Sequence, residues 1–161
     1  MTVVVQALYS GGKQFEAPMR AAANAVLRLL KKKHHDLEVV LVDARFIRDF
    51  RRMAQTRKRS DLLKPLHKDG FNVLSFPSGN SFPRMSGIRE IGEVFLCPPY
   101  IAKHGEDMLF LLIHGILHLK GYDHARKHDR IVMEARERTL YRKVLQFRIP
   151  KISLLLPPRE R

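Results

Sequence analysis

His114-Gly115-Ile116-Leu117-His118-Leu119-Lys120-Gly121-Tyr122-Asp123-His124 carries three histidines at i, i+4 and i+10, with a glycine at i+7. The residues before it, Met108 to Ile113, are apolar throughout, which predicts a buried helix. Four residues advance a helix by a little over one turn, so His114 and His118 share a face. Gly121 can adopt the left-handed conformation that ends a helix, and such a turn returns His124 to the same point. Three imidazoles converging with one position open is a common construction for a catalytic zinc-type site. We therefore expect His114, His118 and His124 to hold one divalent metal ion. Zinc is the first choice for this donor set; nickel, iron and copper also suit imidazole.

The spacing shares its histidines and its glycine with the zinc-peptidase pattern H-E-x-x-H-x-x-G-x-x-H. In those enzymes the glutamate after the first histidine activates the water. Gly115 stands at that position here, so the metal geometry carries over and the peptidase base does not.

HGILHLKGYDH resembles the signature of the YbeY family, metal-dependent endoribonucleases of ribosomal RNA maturation, written roughly H-G-x-L-H-L-x-G-Y-D-H. Phe71 to Pro77 (FNVLSFP) is similar to that family's T-D/N-V-L-S-F-P strand, and Ile91-Gly92-Glu93-Val94 to its L-G-D-I strand. The resemblance covers about residues 1–147. Phe71 replaces threonine, Glu93 replaces aspartate, and residues 53–70 follow the pattern less closely. It implies an α/β fold, cleavage of single-stranded RNA, action on the 3′ end of small-subunit ribosomal RNA and in ribosome quality control, and ribosomal proteins as partners. It also implies a functional arginine upstream of the V-L-S-F strand. Arg57 and Arg59 are the candidates, with Lys58 at that place in the simplest alignment, and we take Arg59 as the catalytic arginine. A guanidinium there would bind the scissile phosphate and stabilise charge developing on its oxygens.

Composition agrees with a polyanionic partner. The 161 residues hold 30 Lys and Arg against 16 Asp and Glu, a formal net charge of +14. Such an excess suits nucleic acid or an acidic membrane surface. No segment approaches the roughly 20 apolar residues of a spanning helix, and there is no secretion-signal pattern at the start. One cysteine, Cys97, fits a reducing compartment and reads as a buried thiol. These features predict a soluble cytoplasmic protein. Positive charge concentrates in residues 45–68, which hold nine Lys or Arg against Asp49 and Asp61. Clustered cations of this kind make the phosphate contacts of sequence-independent RNA binding.

The remaining segments alternate. Thr2–Leu8, Leu37–Val42, Val73–Phe76 and Glu90–Cys97 read as strands, the last ended by Pro98-Pro99. Helices are expected from Pro18 to about Lys33, from Ala44 to about Met53, over the metal motif, and from about Arg126 to Phe147. The inner stripe of the last is read as Ile131, Val132, Ala135, Leu140, Val144 and Phe147. Tyr9 to Lys13 is a turn rather than a phosphate loop. His34, His35, His67 and His104 lack ligand spacing and read as ordinary, and Asp123 is placed behind the ligands, orienting a histidine. The order β-α-β-α-β-β-α-α predicts an α/β (α+β) fold, one small mixed four-stranded sheet with four to five helices and the metal helix central. One domain over 1–147 and a tail over 148–161, either packed on the domain or making a contact, complete the expectation. A non-catalytic assembly factor with a structural metal, or a metallohydrolase of peptide, are the alternatives. A fourth protein ligand would favour the first of these.

Overall fold

A computed structural model describes residues 2–31, 36–58, 71–77 and 90–157. Four strands, β1 (Val3–Ala7), β2 (Asp36–Leu41), β3 (Val73–Pro77) and β4 (Glu90–Leu96), form one sheet in the order β1-β2-β4-β3. β1 and β4 lie parallel to the central β2, and β3 runs antiparallel to β4 at the edge. This is the mixed sheet expected. Along β2 every residue from Leu37 to Leu41 is buried, as a strand covered on both faces should be.

Helix α1 (Lys13–Leu29) begins five residues before the expected start and carries Pro18 inside it. Proline removes one backbone donor near the helix start. The first turn is anchored from elsewhere, because the Glu16 carboxylate accepts the Ala7 N–H at 2.9 Å. Helix α2 (Ala44–Thr56) is capped by Asp43, whose side chain accepts from Arg45 N and Phe46 N. It buries Ile47, Phe50 and Ala54 and exposes Arg45, Arg48 and Arg52, the basic outer face expected of it. Pro98 and Pro99 open a short helix, α3 (Pro98–Lys103), where the sequence suggested only a strand end. Proline costs a helix nothing in its first turn, where its missing N–H has no intrahelical acceptor.

Helix α4 (Met108–Leu119) carries the motif, and helix α5 (Lys127–Val144) packs beside it. The sheet and helices make two layers of core. Val39, Leu41, Val94 and Leu96 pack with α1 and α4 on one face. Val40, Ile47, Phe71, Leu74, Phe95 and Cys97 make a smaller cluster with α2 on the other. Cys97 is buried and free, and burial raises its pKa, as expected of an inert thiol.

The stripe expected on α5 is rotated. Ile131 and Val132 are 54% and 44% exposed, and Ala135 and Phe147 are exposed too. The buried residues are Met133, Glu137, Leu140 and Val144. Their 4-3-4 spacing is a proper helical stripe, and it was hidden because one member is a carboxylate. After α5 the chain turns back, and Ile149 and Leu155 enter the main core against α1. No helix among the described residues is long and apolar enough to cross a membrane.

Candidate metal centre

Asp107 caps α4, its side chain accepting from Phe110 N at 2.9 Å. The same carboxylate accepts the Tyr141 hydroxyl, which ties α5 to the start of the motif helix. Burial and this hydrogen bond both raise the Tyr141 pKa. From Met108 to Leu119 every residue of α4 is buried except Phe110, His114 and His118. These three stand at i, i+4 and i+8, a single stripe that looks out while the rest of the helix is enclosed.

Gly115 explains how α4 sits so close to the sheet. A Cβ there would lie 2.9 Å from Val94 Cγ1 and 3.1 Å from both Ser75 Oγ and Val73 Cγ2. The approach is locked by Ser75 Oγ donating to the Gly115 carbonyl at 3.1 Å. The residue after the first histidine therefore points into the sheet, and no side chain fits there. The missing peptidase glutamate is thus excluded by packing as well as by sequence.

The helix ends in a closed turn. Gly121 takes φ +86°, its N–H donates to His118 O at 3.0 Å, and Tyr122 N donates to Leu117 O at 3.1 Å. Both bonds are those of a Schellman motif. Asp123 then accepts through Oδ1 from His124 N at 2.7 Å and Ala125 N at 3.3 Å. Its carboxylate positions the third histidine by holding the backbone of the turn.

The three imidazoles converge as the spacing predicted. One ligand-type atom from each of His114, His118 and His124 lies within 4.8 Å of the others. His114 Nε2 and His118 Nε2 are 3.0 Å apart. A tetrahedral ion with nitrogen bonds of about 2.0–2.1 Å sets its ligand atoms about 3.3 Å apart, so this pair is close to a zinc-ligand spacing. No fourth histidine, cysteine or carboxylate joins the group among the described residues.

Glu137 completes the site from α5 and was not anticipated. Its Oε1 is 2.5 Å from His114 Nδ1, and its side chain is 5% exposed. The carboxylate accepts, so Nδ1 carries the hydrogen and Nε2 keeps its lone pair toward His118. Two imidazole nitrogens facing at 3.0 Å need a cation or a proton between them, so the donor set fits a metal. A carboxylate behind a histidine ligand is the arrangement that fixes its tautomer and raises its basicity. The legible signal was an acid at a core position of the Met133–Leu140 stripe. Glu137→Gln should weaken zinc binding about 10- to 100-fold, read by competition with a chromophoric chelator.

Burial lowers the His118 pKa, and the neighbouring His114 and His124 lower it further, against smaller opposing effects of Asp123 and a backbone hydrogen bond at Tyr122. His118 is thereby held neutral, the form that binds metal. An open cleft of about 560 Å³ leads to the histidines, walled by Asn72, Ser75 and Pro77 of the β3 segment and by Phe110 and Leu111 of α4.

Other sequence candidates fall elsewhere. Arg59 lies outside the described residues, as do His34, His35 and His67. Arg57 is exposed at the C-terminal cap of α2, and Lys58 follows with φ +52°. His104 stacks on Tyr100 at 4.1 Å and hydrogen-bonds its carbonyl, away from the cluster.

A mixed four-stranded α/β fold with two histidines on one helix and a third on the turn that follows it, one of the three backed by a carboxylate, defines a small protein with a candidate metal centre beside an open cleft. The family model described as "Endoribonuclease YbeY" matches residues 10–145. Curated proteins named "Endoribonuclease YbeY" are similar to the chain. That of Myxococcus xanthus is 30% identical over 146 residues, covering 86% of this chain and 46% of its own length. That of Neorickettsia sennetsu is 31% identical over 123 residues, covering 71% of this chain and 77% of its own. A third, from Nitrosomonas europaea, is 40% identical over 74 residues, covering 41% and 42%. The chain spans less than half the length of the Myxococcus and Nitrosomonas relatives it matches. It belongs to the YbeY family.

Proposed function

We propose that the chain is a metal-dependent endoribonuclease of single-stranded RNA, with ribosomal RNA as substrate. The carrying observation is the convergence of His114, His118 and His124 at an open cleft with no fourth protein ligand among the described residues. A structural zinc closes with four ligands, whereas a catalytic one keeps a position open. The ion proposed is zinc. When bound, it would supply Lewis acidity to a phosphoryl oxygen and to water.

The chain's own residues do the rest. Glu137 holds the His114 ring and its tautomer, the Schellman turn and Asp123 deliver His124, and burial keeps His118 neutral. Asn72 stands in the cleft wall, its Oδ1 accepting from Val73 N at 2.7 Å and its Nδ2 donating to Glu106 Oε1 at 3.5 Å. Arg59 is proposed to take the scissile phosphate. The exposed arginines of α2 meet the flanking backbone, whose contacts dominate affinity. Maturation of the small-subunit RNA 3′ end, ribosome quality control, contact with ribosomal proteins and a cytoplasmic location complete the reading.

The test is metal removal. Chelator treatment should abolish cleavage of a single-stranded RNA, and stoichiometric zinc should restore it. Full activity after verified metal removal would end the metal reading. The pH dependence has a definite sign. A histidine whose folded pKa is depressed contributes stability above its unfolded value, and loses it as pH falls through the folded one. The His118 contribution to zinc binding should therefore be lost only below the ordinary imidazole value of 6.5, read by comparing wild type with His118→Ala in a titration of bound metal against pH.

A further inference from the structure

Two clefts meet at the histidines. The second, of about 400 Å³, opens between α4 and α5; it shares Phe110, His114 and His124 with the first and adds Arg130, Glu134 and Arg138. The charges divide between them. Among the described residues that line the cleft along β3 there is no lysine or arginine, whereas the α5 cleft holds two arginines.

Helix stability does not account for these cations. Arg126 is the N-cap of α5 and makes no side-chain cap, and Lys127 and Arg130 stand in the first turn with Asp129 as the one acid. The positive end of a helix favours anions, so cations there oppose the dipole. Ion pairing explains little either. Arg130 Nε is 3.9 Å from Glu134 Oε1, with both side chains more than half exposed, a pair of negligible worth. Among the described residues no carboxylate lies within ion-pair distance of Arg138. The other carboxylate of the cleft, Glu137, is buried and committed to His114.

Resting on the endoribonuclease reading, we infer that the α4–α5 cleft is a phosphate subsite of the substrate strand, with Arg130 and Arg138 as its cationic contacts. A strand whose scissile phosphate lies over the histidines continues past His124 into this cleft, while bases and ribose meet the neutral β3 wall. Arg130 and Arg138 are eight residues apart, about 12 Å along the helix axis, so the two guanidiniums can engage more than one phosphate. Glu134 stands one turn from each and opposes the incoming charge. The contacts are to backbone phosphate, so they set affinity and register without base preference.

The experiment is binding of fluorescent single-stranded 2′-O-methyl RNA, which keeps its phosphates and resists cleavage, across a salt series. Each single-strand phosphate contact contributes about 0.7 to the slope of log affinity against log salt. Arg130→Gln/Arg138→Gln should flatten that slope by about 1.4, and Glu134→Gln should tighten binding. The control is Arg20→Gln/Arg28→Gln, an exposed α1 pair of the same charge and the same eight-residue spacing, which should leave the slope unchanged. Melting temperatures of all variants should match the wild type. Equal slopes for the two double variants, in a protein that still cleaves RNA, would overturn the subsite and leave the enzyme reading standing. A wild type that neither binds nor cleaves RNA would overturn both.

Discussion

Gly115→Glu, the one change that would complete the H-E-x-x-H pattern, should destabilise the protein severely and create no peptidase. A Cβ at this position already meets Val94 Cγ1 at 2.9 Å and β3 side chains at 3.1 Å. Overpacking of a core commonly costs about 1–3 kcal/mol, and a buried unpaired carboxylate adds more. A loss of at least about 3 kcal/mol would lower the melting temperature by roughly 10 °C in a chain of this size. Gly115→Ala separates the two causes. It gains about 1 kcal/mol of helix propensity and keeps the steric conflict, so its melting temperature should fall between glycine and glutamate. A stable, metal-loaded Gly115→Glu protein would show that α4 is not packed on β3 and β4 as described.

His114→Ala is expected to fail in two ways at once. It removes a proposed metal ligand, so zinc affinity should fall by more than the 10- to 100-fold expected for Glu137→Gln, and RNA cleavage should be lost with it. It also strands Glu137, which is 4% exposed, in the interface of α4 and α5. Leaving a buried acceptor without its donor typically costs about 1–3 kcal/mol, and more for a charged group. The double variant His114→Ala/Glu137→Leu should recover much of that stability and none of the cleavage. Denaturant unfolding of the two singles and the double gives the coupling directly. Additive losses would mean that Glu137 contributes nothing through His114.

The histidine cluster was legible because it is local. Helical spacing places His114 and His118 together, and one glycine turn brings His124 back, so a single stretch of chain specifies the triad. The sheet was legible for a similar reason, since its four strands are short apolar runs bounded by turn residues. What escaped is what depends on distant partners. Glu137 is 23 residues from His114, and a carboxylate in an apolar stripe misdirects any reading of α5 by hydrophobicity, which favours Ile131 and Val132 as the inward residues. Helix α3 escaped because Pro98-Pro99 ends a strand and starts a helix with the same residues. Glu38 and Glu93 are register neighbours on β2 and β4, and both are buried. Nothing in the period of either strand distinguishes them from exposed acids. The steric demand at Gly115 is equally non-local, because it is set by β3 and β4.

RNA cleavage at the three histidines is the central expectation. The most direct measurement incubates zinc-loaded wild type and His118→Ala, purified in parallel, with an end-labelled single-stranded RNA. Internal cleavage by the wild type and none by the variant is the result predicted. Equal cleavage by both would place the activity outside this site, and no cleavage by either, with RNA still bound, would contradict the enzyme reading.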